Sequence, residues 1–183
     1  YPAISGGEDV LTLLEAELGA SEETTEVALL AFTATRLLRY SPPQEEGAAG
    51  SWSEVASGLA PIRDYFIHGK KLYWLDGTEF RVYDGAAVAA VTKGEGLSDA
   101  FWQRIKTASF VEQRGSRWFF ARAGYDDIYY TNVGTVNGFA ETNVLNANSK
   151  NADHMMIENG GGTWRRSIYP ITCRMGKRHM PPD

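Results

Sequence analysis

The run DYFIHGKKLYWLDGTEFRVYDG, residues 64 to 85, limits the possible folds of this chain more than any other stretch. Turn signals fall at His68-Gly69, Asp76-Gly77 and Asp84-Gly85. The glycines allow positive φ, and the aromatic and branched residues between them suit a pleated, half-buried surface. The pattern predicts a β-meander. Composition agrees: 19 glycines and 12% aromatic residues favour a turn-rich β protein over a helical bundle.

The flanking segments extend the same reading. VALLAFTATRLLRY, from Val27, suits two strands and a tight turn, and SPPQEEGAAG (41–50) is a loop. SWSEVA alternates apolar and polar residues at the period of a strand. In LSDAFWQRI, Ser98 and Asp99 look like a helix start, and Phe101, Trp102 and Ile105 have helical spacing, which predicts a short connecting helix. TVNGFAETNVLNANSKNAD reads as a long surface loop, and HMMIENGGGTWRRSIYPITCRM as strand–turn–strand. At the N-terminus, EDVLTLLEAEL (8–18) places Val10, Leu13, Leu14 and Leu18 on one helical face, with acidic residues in the first turn and Gly19 as a stop. These readings give an N-terminal arm with a short helix and acidic linker (1–26), a β-repeat domain (27–176) and a polar tail (177–183). The chain opens Tyr1-Pro2, which reads as a processed product or a fragment, without a signal peptide.

Four segments repeat a strand, a turn, a Leu or Trp anchor and a second strand: LAFTATRLLRY, YFIHGKKLYWLDG, SFVEQRGSRWFFARAG and MMIENGGGTWRRSIYP. The anchors are Leu37, Leu72, Trp118 and Trp164, spaced roughly 35, 46 and 46 residues apart, close to the ~40–50 residues of one propeller blade. A single blade cannot bury both faces of its sheet, so stacked blades would bury each other with these anchors. On this reading Trp118, Phe119, Phe120, Tyr129 and Tyr130 are core between sheets rather than a ligand site.

Residues that carry chemistry are sparse. His68, His154 and His179 lack metal-ligand spacing. The single cysteine, Cys173, rules out an intrachain disulfide framework and reads as a buried inert thiol, which fits a reducing cytosol. Asp126-Asp127 are neighbours and would point to opposite faces of a strand, so they suit a turn better than a glycosidase acid pair. GEG and GGG are not followed by the Gly-Lys-Ser/Thr of a phosphate loop. No catalytic, cofactor or metal site is expected. The net charge of −5 argues against a general nucleic-acid-binding role, and no apolar run reaches membrane-spanning length. One basic stretch stands out, with Arg165, Arg166, Arg174, Lys177, Arg178 and His179. It is either an electrostatic contact for an acidic partner subunit or passing DNA, or a charge-protected strand edge.

IENGGGTW (157–164) partly resembles the Asp-box turn of sialidase-type propellers, with Asn159 where Asp is expected and Ile157 where Ser is expected. That turn is a folding device, so the likeness implies propeller-like β structure and nothing about hydrolysis. Residues 50 to 140 resemble tailed-bacteriophage virion proteins with propeller-like repeats. The likeness lies in the tryptophan strand ending in Gly58-Leu59, the KLY…DG…VYDG meander, and RWFFA…IYYTNVG…F with Thr131, Asn132, Val133, Gly134 and Phe139. The resemblance implies a non-enzymatic structural role in the neck or tail, in a symmetric homo-oligomeric ring against portal or tail subunits, with possible passing contact with packaged DNA, in a virion assembled in the host cytoplasm. The chain is short for a closed propeller, so either it is one piece of a larger protein, or oligomerisation completes the architecture, or the β domain is incomplete. The alternative is a carbohydrate- or receptor-binding β module using Tyr125, Tyr129 and the Asn-rich loops near 125–151, favoured if both tyrosines share an exposed rim. A third reading is a propeller-type glycoside hydrolase, which needs carboxylates, a tyrosine and arginines converging in one pocket.

Overall fold

A computed structural model of the chain describes residues 4, 7–19, 25–45 and 48–146. Trp164, Arg165, Arg166, Arg174, Lys177, Arg178, Cys173, His154, His179, the IENGGGTW turn and the 177–183 tail lie outside the described residues. The described part is mainly β, in three four-stranded antiparallel sheets, each laid down in chain order. The first holds β1 (Thr12–Leu18), β2 (Glu26–Phe32), β3 (Leu37–Ser41) and β4 (Ser51–Ala56). The second holds β5 (Asp64–His68), β6 (Lys71–Leu75), β7 (Phe80–Tyr83) and β8 (Val88–Ala90). Helix α1 (Asp99–Lys106) leads to the third, with β9 (Phe110–Arg114), β10 (Arg117–Ala121), β11 (Asp127–Tyr130) and β12 (Val144–Asn146).

The N-terminal helical arm is not what forms. Residues 12–18 are strand β1, paired with β2 from Thr12↔Phe32 to Leu18↔Glu26. Leu14, Ala16 and Leu18 are buried, while Leu13, Glu15 and Glu17 are exposed. The segment thus carries a period of two as well as a helical stripe. Leu, Ala and Glu are good helix formers, but a full ladder on β2 and a buried face outweigh local propensity. The boundary drawn between 26 and 27 therefore divides β2 and separates it from its partner.

The sheets stack in chain order. Leu14, Ala16, Leu18, Leu30, Phe32 and Leu37 of the first sheet pack with Leu72, Trp74 and Tyr83 of the second. Leu75 and Phe80, on the opposite face of the second sheet, pack with Val111, Trp118, Phe120 and Tyr129 of the third. Strand β6 is therefore apolar at nearly every position because both its faces are covered. Helix α1 drives Phe101, Trp102 and Ile105 into the second of these cores. Its start is fixed by the Ser98 hydroxyl, which accepts from the Phe101 N–H at 3.2 Å. Hydrogen bonds also tie sheet to sheet, among them Gly19 N–H to the Lys70 carbonyl at 3.1 Å and Val111 N–H to the Asp64 carboxylate at 2.8 Å.

Leu37, Leu72 and Trp118 are all buried. Leu72 and Trp118 are each the second residue of the second strand in their sheets, so these two repeats are in phase. Leu37 is the first residue of the third strand, so the first repeat is shifted by a strand.

The β6–β7 turn rests on Asp76, whose carboxylate is fully buried. It accepts from the Thr78 N–H at 2.8 Å, the Thr78 hydroxyl at 2.6 Å, the Glu79 N–H at 2.7 Å and Arg81 Nε at 2.8 Å. Burial alone pushes this carboxyl up, but the donors from Arg81, Thr78 and the Glu79 and Thr78 backbone outweigh it and hold the group below the usual range. Asp84 does the same for the β7–β8 turn, accepting from the Ala86 and Ala87 N–H groups at 2.9 Å each.

A depressed carboxyl contributes stability above its unfolded value, about 4, and that contribution is lost as pH falls through the folded value. Asp76→Ala leaves Arg81 without its buried partner and is expected to cost about 3 kcal/mol in denaturant unfolding. In Asp76→Asn the acid-side fall of Tm below about pH 4 should be shallower than in the wild type, because this group no longer titrates. An unchanged acid limb would show that other carboxyls carry it.

Candidate functional site

The structure separates the two tyrosines of the expected rim. Tyr125 is 58% exposed, whereas Tyr129 is 1% exposed and lies in the core. The Tyr129 ring meets Phe101 edge-on at 5.4 Å, and its hydroxyl donates to Asp127 at 3.2 Å. Burial pushes its phenol up. Tyr129 is therefore a core residue and not part of an interaction surface. Asp127 also accepts from the Asn146 amide at 3.1 Å, which fastens β12 to β11.

The Asn-rich loops serve the fold. Asn143 donates to the Asn132 side chain at 2.9 Å, and Asn137 donates to the Thr92 carbonyl at 3.1 Å. Thr131, fully buried, continues the β10–β11 ladder: its N–H donates to the Trp118 carbonyl and its hydroxyl accepts from the Trp118 N–H, both at 3.0 Å. Gly134 N–H reaches the Ser116 carbonyl at 2.7 Å, and Phe139 packs on Phe101, Trp102 and Phe120. The TNVG…F pattern thus closes the end of the third sheet. His68 sits edge-on to Trp118 at 4.5 Å, a packing role.

Tyr125 lines an open cleft of about 480 Å³ where the ends of the second and third sheets meet. Arg63 and Gly77 form one wall, and Ser109, Arg122 and Ala123 the other, with Thr107 from the end of α1. Sequence reasoning missed this grouping, because Arg63 and Arg122 are far apart in the chain and nothing local pairs them. Arg63 donates to Ser109 Oγ at 3.2 Å and to the Thr107 carbonyl at 3.5 Å, so it caps the negative end of the helix. Arg122 stacks on the Tyr125 ring, 3.7 Å from its centre. Among the described residues the cleft is lined by arginines, hydroxyls and a tyrosine and by no carboxylate. Among the described residues no group of His, Cys, Asp and Glu is placed to hold a metal.

The other notable surfaces are the outer faces of the first and third sheets. The first shows Leu13, Glu15, Glu17 and Val27, with Leu13 52% and Val27 73% exposed. Opposite Glu15 in the ladder stands Leu29, and opposite Glu17 stands Val27. The third shows Phe119 against Tyr130, with ring centres 5.8 Å apart, and Ile128 paired with Leu145. Arg117 lies over the Tyr130 ring at 5.2 Å and directly opposite Arg114. Compared with known proteins, the chain matches no family model, no curated protein and no solved structure.

Gly77 has φ +80°, and a Cβ there would run into the Arg63 guanidinium. At Gly69, φ +54°, a Cβ would meet open space. Gly69→Ala should therefore cost only the left-handed backbone penalty of about 1 kcal/mol, and Gly77→Ala more, by thermal unfolding. Equal losses would show that Arg63 is not held in this wall.

Proposed function

We propose that this chain is a non-enzymatic structural component of a tailed-phage virion, a neck or tail adaptor, whose sheets are successive blades of a propeller-like stack. The observation that carries this reading is the order of packing. The middle sheet is covered on both faces by its chain neighbours, and each end sheet has an outer face with no other sheet on it among the described residues. Such a stack is a repeat array whose ends call for more of the same. The first strands of the second and third sheets, β5 and β9, also meet at the Asp64–Val111 bond, the side by side approach that inner blade strands make. The residues that carry the phage-protein resemblance hold the fold: Leu59, Leu72, Tyr83, Thr131 and Phe139 are all buried.

In this role the module is a stiff spacer. Its loops and termini tile against portal, neck or tail subunits around a ring, and weak contacts add by avidity. A net charge of −5 suits a wall along which DNA passes without sticking. The second reading, a carbohydrate- or receptor-binding module, is favoured by one observation, the exposed Tyr125 ring in the cleft beside Arg122. Burial of Tyr129 and the internal bonds of Asn132, Asn137 and Asn143 count against it.

The deciding test is co-sedimentation of the purified chain with isolated phage portals and tails, with negative-stain imaging of the pellet. Binding at a fixed ring position is expected. A chain that ignores both, yet binds a glycan array in a manner lost on Tyr125→Ala, would put the receptor-binding reading in its place.

A further inference from the structure

We infer that the cleft between the ends of the second and third sheets binds an acidic saccharide, holding its carboxylate with Arg63, Ser109 and Arg122 and its ring on Tyr125. The inference is independent of the virion reading and gives the receptor-binding reading its ligand class. Its basis is an excess of donors. Arg63 uses Nη1 within the chain, donating to Ser109 Oγ at 3.2 Å and to the Thr107 carbonyl at 3.5 Å. Its Nε and Nη2 edge meets no hydrogen-bond acceptor among the described residues. A Cβ at Gly77 would come nearest to Arg63 Cζ, ahead of Nε and Nη2, so the glycine abuts the flat face of the guanidinium and not that edge. Ser109 Oγ accepts from Arg63 and, at 3.3 Å, from the Ala123 N–H. Both lone pairs are then in use, and the O–H is left as a donor with no partner among the described residues. The Arg122 guanidinium makes no hydrogen bond among the described residues and is held by the Tyr125 ring, 3.7 Å from its centre.

These donors select the ligand. Paired N–H groups on arginine fit the two oxygens of a carboxylate, and such charge-assisted bonds are about twice as strong as neutral ones. In a chain of net charge −5, a cleft with two arginines and no carboxylate among the described residues reverses the local sign, which favours a small anion. A nucleic acid, a polyanion, meets the repulsion of the whole chain instead. Tyr125 stays 58% exposed although Arg122 lies over it, so ring surface remains open to a partner. The C–H face of a pyranose suits such a ring. At about 480 Å³ the cleft has the size of a ligand site, and its open side lets a longer glycan continue outward.

Titration of the full chain with methyl glucuronoside and with its neutral counterpart methyl glucoside, followed by NMR, tests this. Saturable binding of the glucuronoside that weakens as salt rises is expected, with the glucoside bound at least tenfold more weakly. Arg122→Gln and Tyr125→Ala, each folded by circular dichroism, should each weaken the glucuronoside about tenfold, and Tyr125→Phe should leave it unchanged. Arg63→Gln should act like Arg122→Gln. Where it loosens the end of α1 the Arg122 variant decides, since that guanidinium holds no other element. A chain that binds neither sugar overturns the inference. Inorganic phosphate bound as tightly as the glucuronoside, with no effect of Tyr125→Ala, would reduce the cleft to a plain anion site and overturn it too, as would an oligonucleotide bound more tightly than an oligoglucuronide. Equal binding of glucoside and glucuronoside, lost on Tyr125→Ala but not on Arg122→Gln, would defeat the acidic ligand and leave the receptor-binding reading standing. Portal and tail binding is read separately and is untouched by any of these results.

Discussion

Everything in this molecule hangs on the double burial of one five-residue strand. In β6, Leu72 and Trp74 face the first sheet while Tyr73 and Leu75 face the third. Trp74 meets Phe32 edge-on at 5.3 Å, and Tyr73 stacks on Phe66 at 5.1 Å, which in turn leans on Trp118 at 5.7 Å. Rings of this size fill the gap between sheets and fix their spacing at the same time. The cost is visible at the indoles: the buried ring N–H groups of Trp74 and Trp118 find no hydrogen-bond partner among the described residues. Large apolar area buried on each side offsets a polar atom left unpaired.

Stacking alone does not set how the sheets end, and the polar devices do that. Asp76 and Asp84 fold the turns of the second sheet through their own backbone neighbours, and Asp64 reaches across to β9. Lys106, in the last turn of α1, pairs with Glu79 of the Asp76 turn at 2.5 Å, and Arg63 covers the same helix end. Helix, turn and sheet ends are therefore locked as a group. In the third sheet Thr131 replaces the carboxylate device, with a hydroxyl and an N–H bonded to the Trp118 backbone.

Much of this was legible in the sequence where a turn residue and a period agreed. The glycines at 69, 77 and 85 mark turns, all with positive φ, and Ser98 caps the helix it announces. The reading failed where two periods fit one segment. In EDVLTLLEAEL the apolar residues match both a helical stripe and an alternating face, and only the partner strand, itself preceded by a polar linker, decides between them. Repeat phase failed for a related reason: LAFTATRLLRY is a hairpin like the others, but its rank within its sheet depends on β1 being a strand. The Arg63–Arg122 cleft was out of reach, since nothing local links a residue before β5 with one after β10.

The aromatic wealth that first looks like a binding surface is mostly spent inside. Tyr129, Phe120 and Trp118 alternate inward from the third sheet, while Phe119 and Tyr130 are half-buried on its other face, where Arg117 lies over the Tyr130 ring. A face made of paired aromatics and opposed arginines is poorly suited to a small ligand, which needs a concave site. The faces this chain does pack sheet on sheet are of a different kind, apolar throughout: Leu72 and Trp74 against the first sheet, Leu75 and Phe80 against the third, with no charge to desolvate between them.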